Sequence, residues 1–141
     1  MTPRLPRQQG YTLLELLLTV SIVTIVTSIA LPSYQNHVRR SHRSDAMSAL
    51  MLVANAQEKF YLQNNTYTST LSDLNITGTR SGFYDLTIPT ADVNTFTAQA
   101  QIASGGAQVG DDLCTTFTID ATGALGAASS ASADTTTDCW R

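Results

Sequence analysis

A single carboxylate inside an apolar stretch is the first chemistry this chain offers. From Tyr11 to Leu31 the residues are Leu, Val, Ile, Ala, Ser and Thr, and Glu15 is the one charge among them. At ~1.5 Å rise per residue a helix over this stretch spans roughly 30 Å, the thickness of a hydrocarbon core. A carboxylate at mid-depth there costs about 2.5 kcal/mol or more, so an intramembrane charge reads as functional. Four residues upstream the junction Gly10-Tyr11 joins the smallest residue to an aromatic one. Thr12-Leu13-Leu14-Glu15 also has capping-box spacing, in which Thr12 and Glu15 bond each other's backbone at a helix start. That local role explains a carboxylate in the first turn but not the Gly10 boundary.

The rest of the chain offers little chemistry. His37 and His42 are five apart and have no Cys or third His to complete a metal set, so they read as solvated residues flanking the membrane and no metal is expected. Gly105-Gly106-Ala107-Gln108-Val109-Gly110 lacks the Lys-Ser/Thr of a phosphate loop and leads into Asp111-Asp112, so it reads as a turn. No Gly-X-Ser-X-Gly elbow occurs, and no carboxylate pair has a spacing that singles it out. Tyr34, Phe60 and Tyr61 suit packing better than a ligand box. Cys114 and Cys139 are the only cysteines, either bonded to each other or buried separately as thiols.

The elements that position these residues follow from periodicity. The chain has 141 residues, enough for one compact domain with a thin core. After Pro32, Tyr34, Val38, Ala46, Ala49, Val53, Ala56 and Phe60 recur near one helical face, and Asn64-Asn65 closes the run. Pro32 removes a backbone donor, which predicts a kink there or the start of a second helix. Beyond Gly82 the period becomes two: Tyr84, Leu86 and Ile88, then Phe96, Ala98, Ala100 and Ile102, then Leu113, Thr115, Phe117 and Ile119. A weaker fourth strand around 124–126 follows a hairpin-like Asp120-Ala121-Thr122-Gly123. The fold class is therefore α+β, a long helix packed on an antiparallel sheet of three to four strands.

Charge divides along the chain. The first 43 residues carry five Arg against Glu15, whereas the rest carries ten Asp or Glu against Lys59, Arg80 and Arg141. An acidic head argues against a dominant phosphate-binding role. Arg4 and Arg7 on one side of the apolar segment face Arg39, Arg40 and Arg43 on the other, so counting basic residues does not fix an orientation. Those three arginines are expected near headgroups or solvent.

The N-terminal residues resemble the type IV prepilins. Gly10-Tyr11-Thr12-Leu13-Leu14-Glu15 is similar to the usual Gly-Phe-Thr-Leu-Ile-Glu processing site, with Tyr keeping an aromatic ring next to the new amine. Pro32, Gln57-Glu58-Lys59-Phe60-Tyr61 and Asn65-Thr66-Tyr67 extend the likeness. Gly106-Ala107-Gln108, Asp111, Cys114 and Asp138-Cys139-Trp140 are similar to the PilE-like minor pilins. The resemblance implies a leader over 1–10, a transmembrane and assembly helix over 11–31, its amphipathic continuation over 32–64 and a β head over 65–141. It also implies cleavage after Gly10 by a prepilin peptidase and N-methylation at Tyr11. Thr12, Leu13 and Glu15 serve processing and assembly, and Pro32 kinks the helix. The expected role is a fibre subunit, minor rather than major, supporting assembly, twitching motility and attachment, with no catalysis and no cofactor. A type II secretion pseudopilin and a DNA-uptake pilin are the alternatives. Expected partners are the peptidase, other major and minor pilins and an inner-membrane assembly platform, with no specific nucleic acid. The leader lies in the cytoplasm and the head across the inner membrane, then on the cell-surface pilus. Outside the cytoplasm the lone cysteine pair reads as a disulfide, worth roughly 3–4 kcal/mol in the chain-entropy model for a loop of this size. It holds the Ala/Ser/Thr/Asp segment 127–137, which is too small and polar to build a core.

Gly10→Glu places a charged side chain at the junction, so the variant should accumulate with residues 1–10 attached. N-terminal peptide mapping checks this, and normal cleavage at the same bond would disprove the junction.

Overall fold

The computed structural model describes residues 11–106 and 108–141. The leader and Gly10 lie outside the described residues. In order come α1 (Leu13–Asn64), a short 3₁₀ turn (Leu71–Leu74), β1 (Tyr84–Ala91), β2 (Phe96–Ile102), β3 (Thr116–Asp120), β4 (Leu125–Ala128) and α2 (Thr136–Cys139). The chain forms two compact units, Met1–His37 and Val38–Arg141.

In the first unit the side chains from Tyr11 to His37 are exposed, including every Leu, Ile and Val of the apolar stretch, which is long enough to span a membrane. Five of its hydroxyl side chains are satisfied within the helix. Thr19, Ser21, Thr24, Thr27 and Ser28 each donate to a carbonyl three or four residues back, at 2.7 to 2.9 Å. In hydrocarbon, where no water can substitute, such back-bonding removes the cost of five hydroxyls. Pro32 lies inside α1 and no second helix begins there.

The second unit is built on a sheet with one apolar face. All four strands are antiparallel in the order β1-β2-β3-β4. Register places Leu86 opposite Ala100, Ala100 opposite Phe117 and Phe117 opposite Ala127, so large and small residues alternate across one buried row. This alternation lets neighbouring side chains interdigitate without voids. The facing wall is α1, where Ala46, Ala49, Leu50, Val53 and Gln57 are buried. Their spacing follows the helical period, and the two alanines allow close approach to the sheet. On the outer face Gly126 lies opposite Thr118, where an added Cβ would come within 2.5 Å of the Thr118 hydroxyl.

Turn chemistry closes the elements as their residue types predict. Asn65, at φ 53, ends α1 with its N–H on the Tyr61 carbonyl at 2.8 Å. At the β3–β4 turn the Asp120 carboxylate accepts from the Thr122 hydroxyl and from the amides of Thr122 and Ala124, at 2.6 to 3.0 Å. Those bonds, the hydroxyl's first, hold its pKa below the ordinary carboxylate value. Gly123 there has φ +78, a conformation that favours glycine. The β1 edge carries Pro89 and a register shift between Thr87 and Thr90, devices that discourage edge pairing.

Several expectations need correction. Tyr34 is 68% exposed and contributes nothing to a buried face, whereas Leu50 and Gln57 do. The third strand begins at Thr116, because Cys114 is turned inward by its bond and Leu113 remains exposed. The fourth strand runs to Ala128, and a further bridge joins Ala128 to Asp134. The 127–137 segment therefore extends the sheet. Ala127 is in the core, and backbone bonds Thr135 to Ala127 (2.9 Å) and Ser129 to Ala133 (3.0 Å) fold the segment onto it. The tie between Cys114 and Cys139 is a disulfide with Cα atoms 5.8 Å apart. Next to it Trp140, the one tryptophan, donates to the Gly126 carbonyl at 2.8 Å and packs edge-on against Phe117.

Replacing Cys114 and Cys139 together by Ser should cost about 3 kcal/mol. For a domain near 100 residues that lowers the Tm by roughly 10 °C or more. Trp140 fluorescence of the detergent-solubilised full chain reads the head alone, and an unchanged melt would show the sheet bonds suffice without the disulfide.

Candidate functional site

Two places in the chain concentrate polar groups with a task. The first is the start of α1. Thr12 Oγ1 accepts the Glu15 N–H at 3.2 Å, one half of a capping box. The Glu15 carboxylate makes no hydrogen bond or ion pair among the described residues, and Tyr11 beside it is 86% exposed. A local capping role thus uses the Glu15 backbone and leaves its charge available.

The second is a buried lock between α1 and the β2–β3 loop, residues 103–115. Arg43 grips Asp111 with two bonds, Nε to Oδ2 at 2.7 Å and an Nη to Oδ1 at 2.6 Å. Gln108, fully buried, donates to Asp111 Oδ2 at 2.7 Å and to the Arg39 carbonyl at 3.3 Å, while its Oε1 accepts from His42 Nδ1 at 3.0 Å. With Nδ1 donating, the neutral His42 ring leaves Nε2 as its acceptor. The ring lies on Phe83 with centroids 3.9 Å apart. Arg43 and His42 are therefore parts of the head's interior, contrary to the expectation of headgroup or solvent positions. An arginine three residues from Ala46 faces the same side as the buried helix stripe, and only a carboxylate brought by the loop makes that tolerable. Arg40 and His37 remain exposed.

One buried polar group here stands apart. The Tyr84 hydroxyl on β1 is enclosed without a hydrogen bond among the described residues. Burial, and secondly the Asp111 charge, push its pKa up to about 12, against smaller opposing effects of Gln108 and Arg43. A second buried amide is paired at both its nitrogen and its oxygen: Gln57 donates to the Thr68 carbonyl at 2.6 Å and accepts its N–H at 3.1 Å, tying α1 to the segment after it.

Neither place has the parts of an active site. Among the described residues no cluster of His, Cys, Asp or Glu could hold a metal ion. Three clefts among the described residues of the head are small, 190 to 380 Å³, and none of the three gathers a nucleophile with a base.

Residues 5–31 match the profile described as the prokaryotic N-terminal methylation motif, and residues 32–118 match that of the "Type IV minor pilin ComP, DNA uptake sequence receptor". The chain belongs to the type IV pilins. The major pilin PilA of Myxococcus xanthus is 29% identical to this pilin over 86 residues, 61% of this chain and 39% of that protein. A fimbrial protein of Neisseria meningitidis is 30% identical, covering 62% of this chain and 59% of its own length. This pilin thus matches less than two thirds of the length of these curated relatives. The non-core minor pilin PilV of Neisseria meningitidis shares the fold with a TM-score of 0.56 at 23% identity, over 66% of this chain and 89% of that one. Gln108, Asp111 and Arg43 would not have been grouped from spacing, since Asp111 lies 68 positions after Arg43 and Gln108 lies 66 after His42. The short motif Gly106-Ala107-Gln108 with Asp111 was their one visible trace.

Asp111→Asn leaves the Arg43 charge buried without its counterion and should destabilise the head by about 3 kcal/mol or more. Tyr84→Phe removes an unsatisfied hydroxyl and should be neutral or stabilising. Because the Tyr84 pKa is raised on folding, native stability declines from about pH 10 towards 12 as the unfolded chain loses its proton first. Tyr84→Phe should flatten that part of the decline. Denaturant melts of both variants across pH decide it, and a large loss in Tyr84→Phe would contradict the orphan hydroxyl.

Proposed function

We propose that this pilin is a minor structural subunit of a bacterial type IV pilus. In this reading a prepilin peptidase cuts after Gly10 and the amine of Tyr11 is methylated. The segment 11–31 holds the subunit in the inner membrane with its head in the periplasm. An inner-membrane assembly platform then passes it into a fibre with other major and minor pilins. The observation that carries this is the free Glu15 carboxylate in the first turn of α1, the one charge in the apolar segment 11–31 and within the matched methylation motif.

Processing at Gly10 would create a cation four residues from that carboxylate. Inside a fibre both would leave water, and desolvation offsets most of the attraction of a buried pair, so it adds little net stability. Leaving either partner alone is costly, so the pair sets the axial register between Glu15 of one subunit and the Tyr11 amine of the next. No catalytic step is assigned to this chain. The minor assignment rests on the matched minor-pilin profile over 32–118; a major pilin remains the alternative to be separated by abundance. The pseudopilin reading has less support, since the type II secretion core protein G of Pectobacterium carotovorum aligns over 64 residues at 31% identity.

A second reading, DNA reception in uptake, is favoured by the wording of that same profile. Duplex binding needs cations facing solvent. Of the three Arg at residues 39–43, Arg43 is spent on Asp111, and ten carboxylates lie beyond residue 43. A salt-dependent shift of duplex DNA by the purified chain would revive this reading.

Glu15→Gln keeps the shape and hydrogen bonding of the side chain but leaves a neighbouring amine unpaired, at a cost of a few kcal/mol. The variant should insert and be cleaved normally, stay in the inner membrane and be depleted from sheared pili. Normal incorporation would reduce Glu15 to a helix-start residue.

A further inference from the structure

We propose that Asn75 is an acceptor for N-linked glycosylation, receiving an oligosaccharide from a lipid-pyrophosphate donor at the periplasmic face of the inner membrane. Asn75-Ile76-Thr77 has the Asn-X-Ser/Thr pattern with a central residue other than proline, which in an exported protein marks a surface acceptor. The proposal rests on the head crossing the inner membrane.

Asn64-Asn65-Thr66 has the same pattern, and local geometry separates the two. Asn64 is the last residue of α1, and its Nδ2 donates to the Phe60 carbonyl at 3.0 Å. Its reacting nitrogen is occupied and its backbone is helical. Asn75 instead caps the 3₁₀ turn at φ 56, where the chain reverses, and its side chain is exposed without a hydrogen bond among the described residues. Thr77 is exposed and equally unbonded, and residues 77–83 form neither helix nor strand, while Leu74 and Ile76 pack in the core and so present Asn75 at the surface of the folded head. Asp73, two residues upstream, is exposed, and its Oδ2 accepts the Thr68 hydroxyl at 2.8 Å.

The neighbourhood of Asn75 also suits a first sugar. A cleft of 190 Å³ opens beside it, lined by Phe60, Lys59, Gln63 and Asp73 among others. An aromatic surface flanked by hydrogen-bonding side chains matches the mixed apolar and hydroxylated faces of a pyranose. In the transfer, Asn75 Nδ2 attacks the anomeric carbon of the donor sugar. A C–N bond forms, the bond from that carbon to the pyrophosphate oxygen breaks, and the lipid pyrophosphate departs with the electron pair. A base of the transferase takes the displaced Nδ2 proton. No electron carrier is needed.

The test is peptide mapping by mass spectrometry of the full chain isolated from the organism that encodes it. One glycan mass is expected on the Asn75 peptide and none on the Asn64 peptide. It should vanish in Asn75→Gln and Thr77→Ala and persist in Thr77→Ser and Asn64→Gln, with Trp140 fluorescence reporting that each variant folds. The same map reads the N-terminus and the Cys114–Cys139 linkage. A bare Asn75 in cut, oxidised protein overturns this proposal and leaves the fibre reading standing. A bare Asn75 in protein that keeps its leader and free thiols removes both.

Discussion

A sheet with a single apolar face and a single helix to cover it is the constraint on which this head depends. Four short strands bury Leu86, Ala100, Phe117 and Ala127 in one row, and only α1 is long enough to close over them. Two-layer packing of this kind succeeds when the helix face is narrow and smooth. Ala46 and Ala49 supply that, with Leu50 and Val53 filling between them. The same helix carries the exposed apolar stretch of the first unit, so one continuous element serves two solvents.

Apolar contact by itself would leave the helix free to slide along such a face. Two buried polar sets fix its position. Near one end of the packed segment Arg43 and His42 engage Asp111 and Gln108, and near the other Gln57 takes both backbone groups of Thr68. Buried ion pairs add little net stability relative to apolar residues of the same volume. Their effect here is on register, since a shift of one residue would strand a charge or an amide. The β2–β3 loop, polar and glycine-rich, gains a defined conformation from the same bonds, and the disulfide fixes the chain beyond it.

Much of the fold was legible because it follows from periodicity. The change from a helical period before Asn64 to alternation after Gly82 locates the helix and three strands, and Asn65, Asp120 and Gly123 mark their turns. The family was legible in the Gly10-to-Glu15 junction. What could not be read was tertiary. Arg43 looks like a headgroup arginine until Asp111 is brought to it, and the burial of Gln57 follows only once Thr68 folds back. The segment 127–137 looked unable to order itself because its side chains are small, yet its order comes from backbone pairing, which side-chain size does not report. Leu113 alternates correctly with its neighbours, but the disulfide at Cys114 delays the strand.

In the proposed function the apolar helix is an assembly element that ends in a fibre. The most direct test of that role is mass spectrometry of fibres sheared from wild-type cells, reading the N-terminus of this chain and its amount relative to the main subunit. The account predicts a chain that begins at N-methyl-Tyr11, present as a small fraction of the fibre. A chain found only in the membrane fraction, with residues 1–10 still attached, would contradict it.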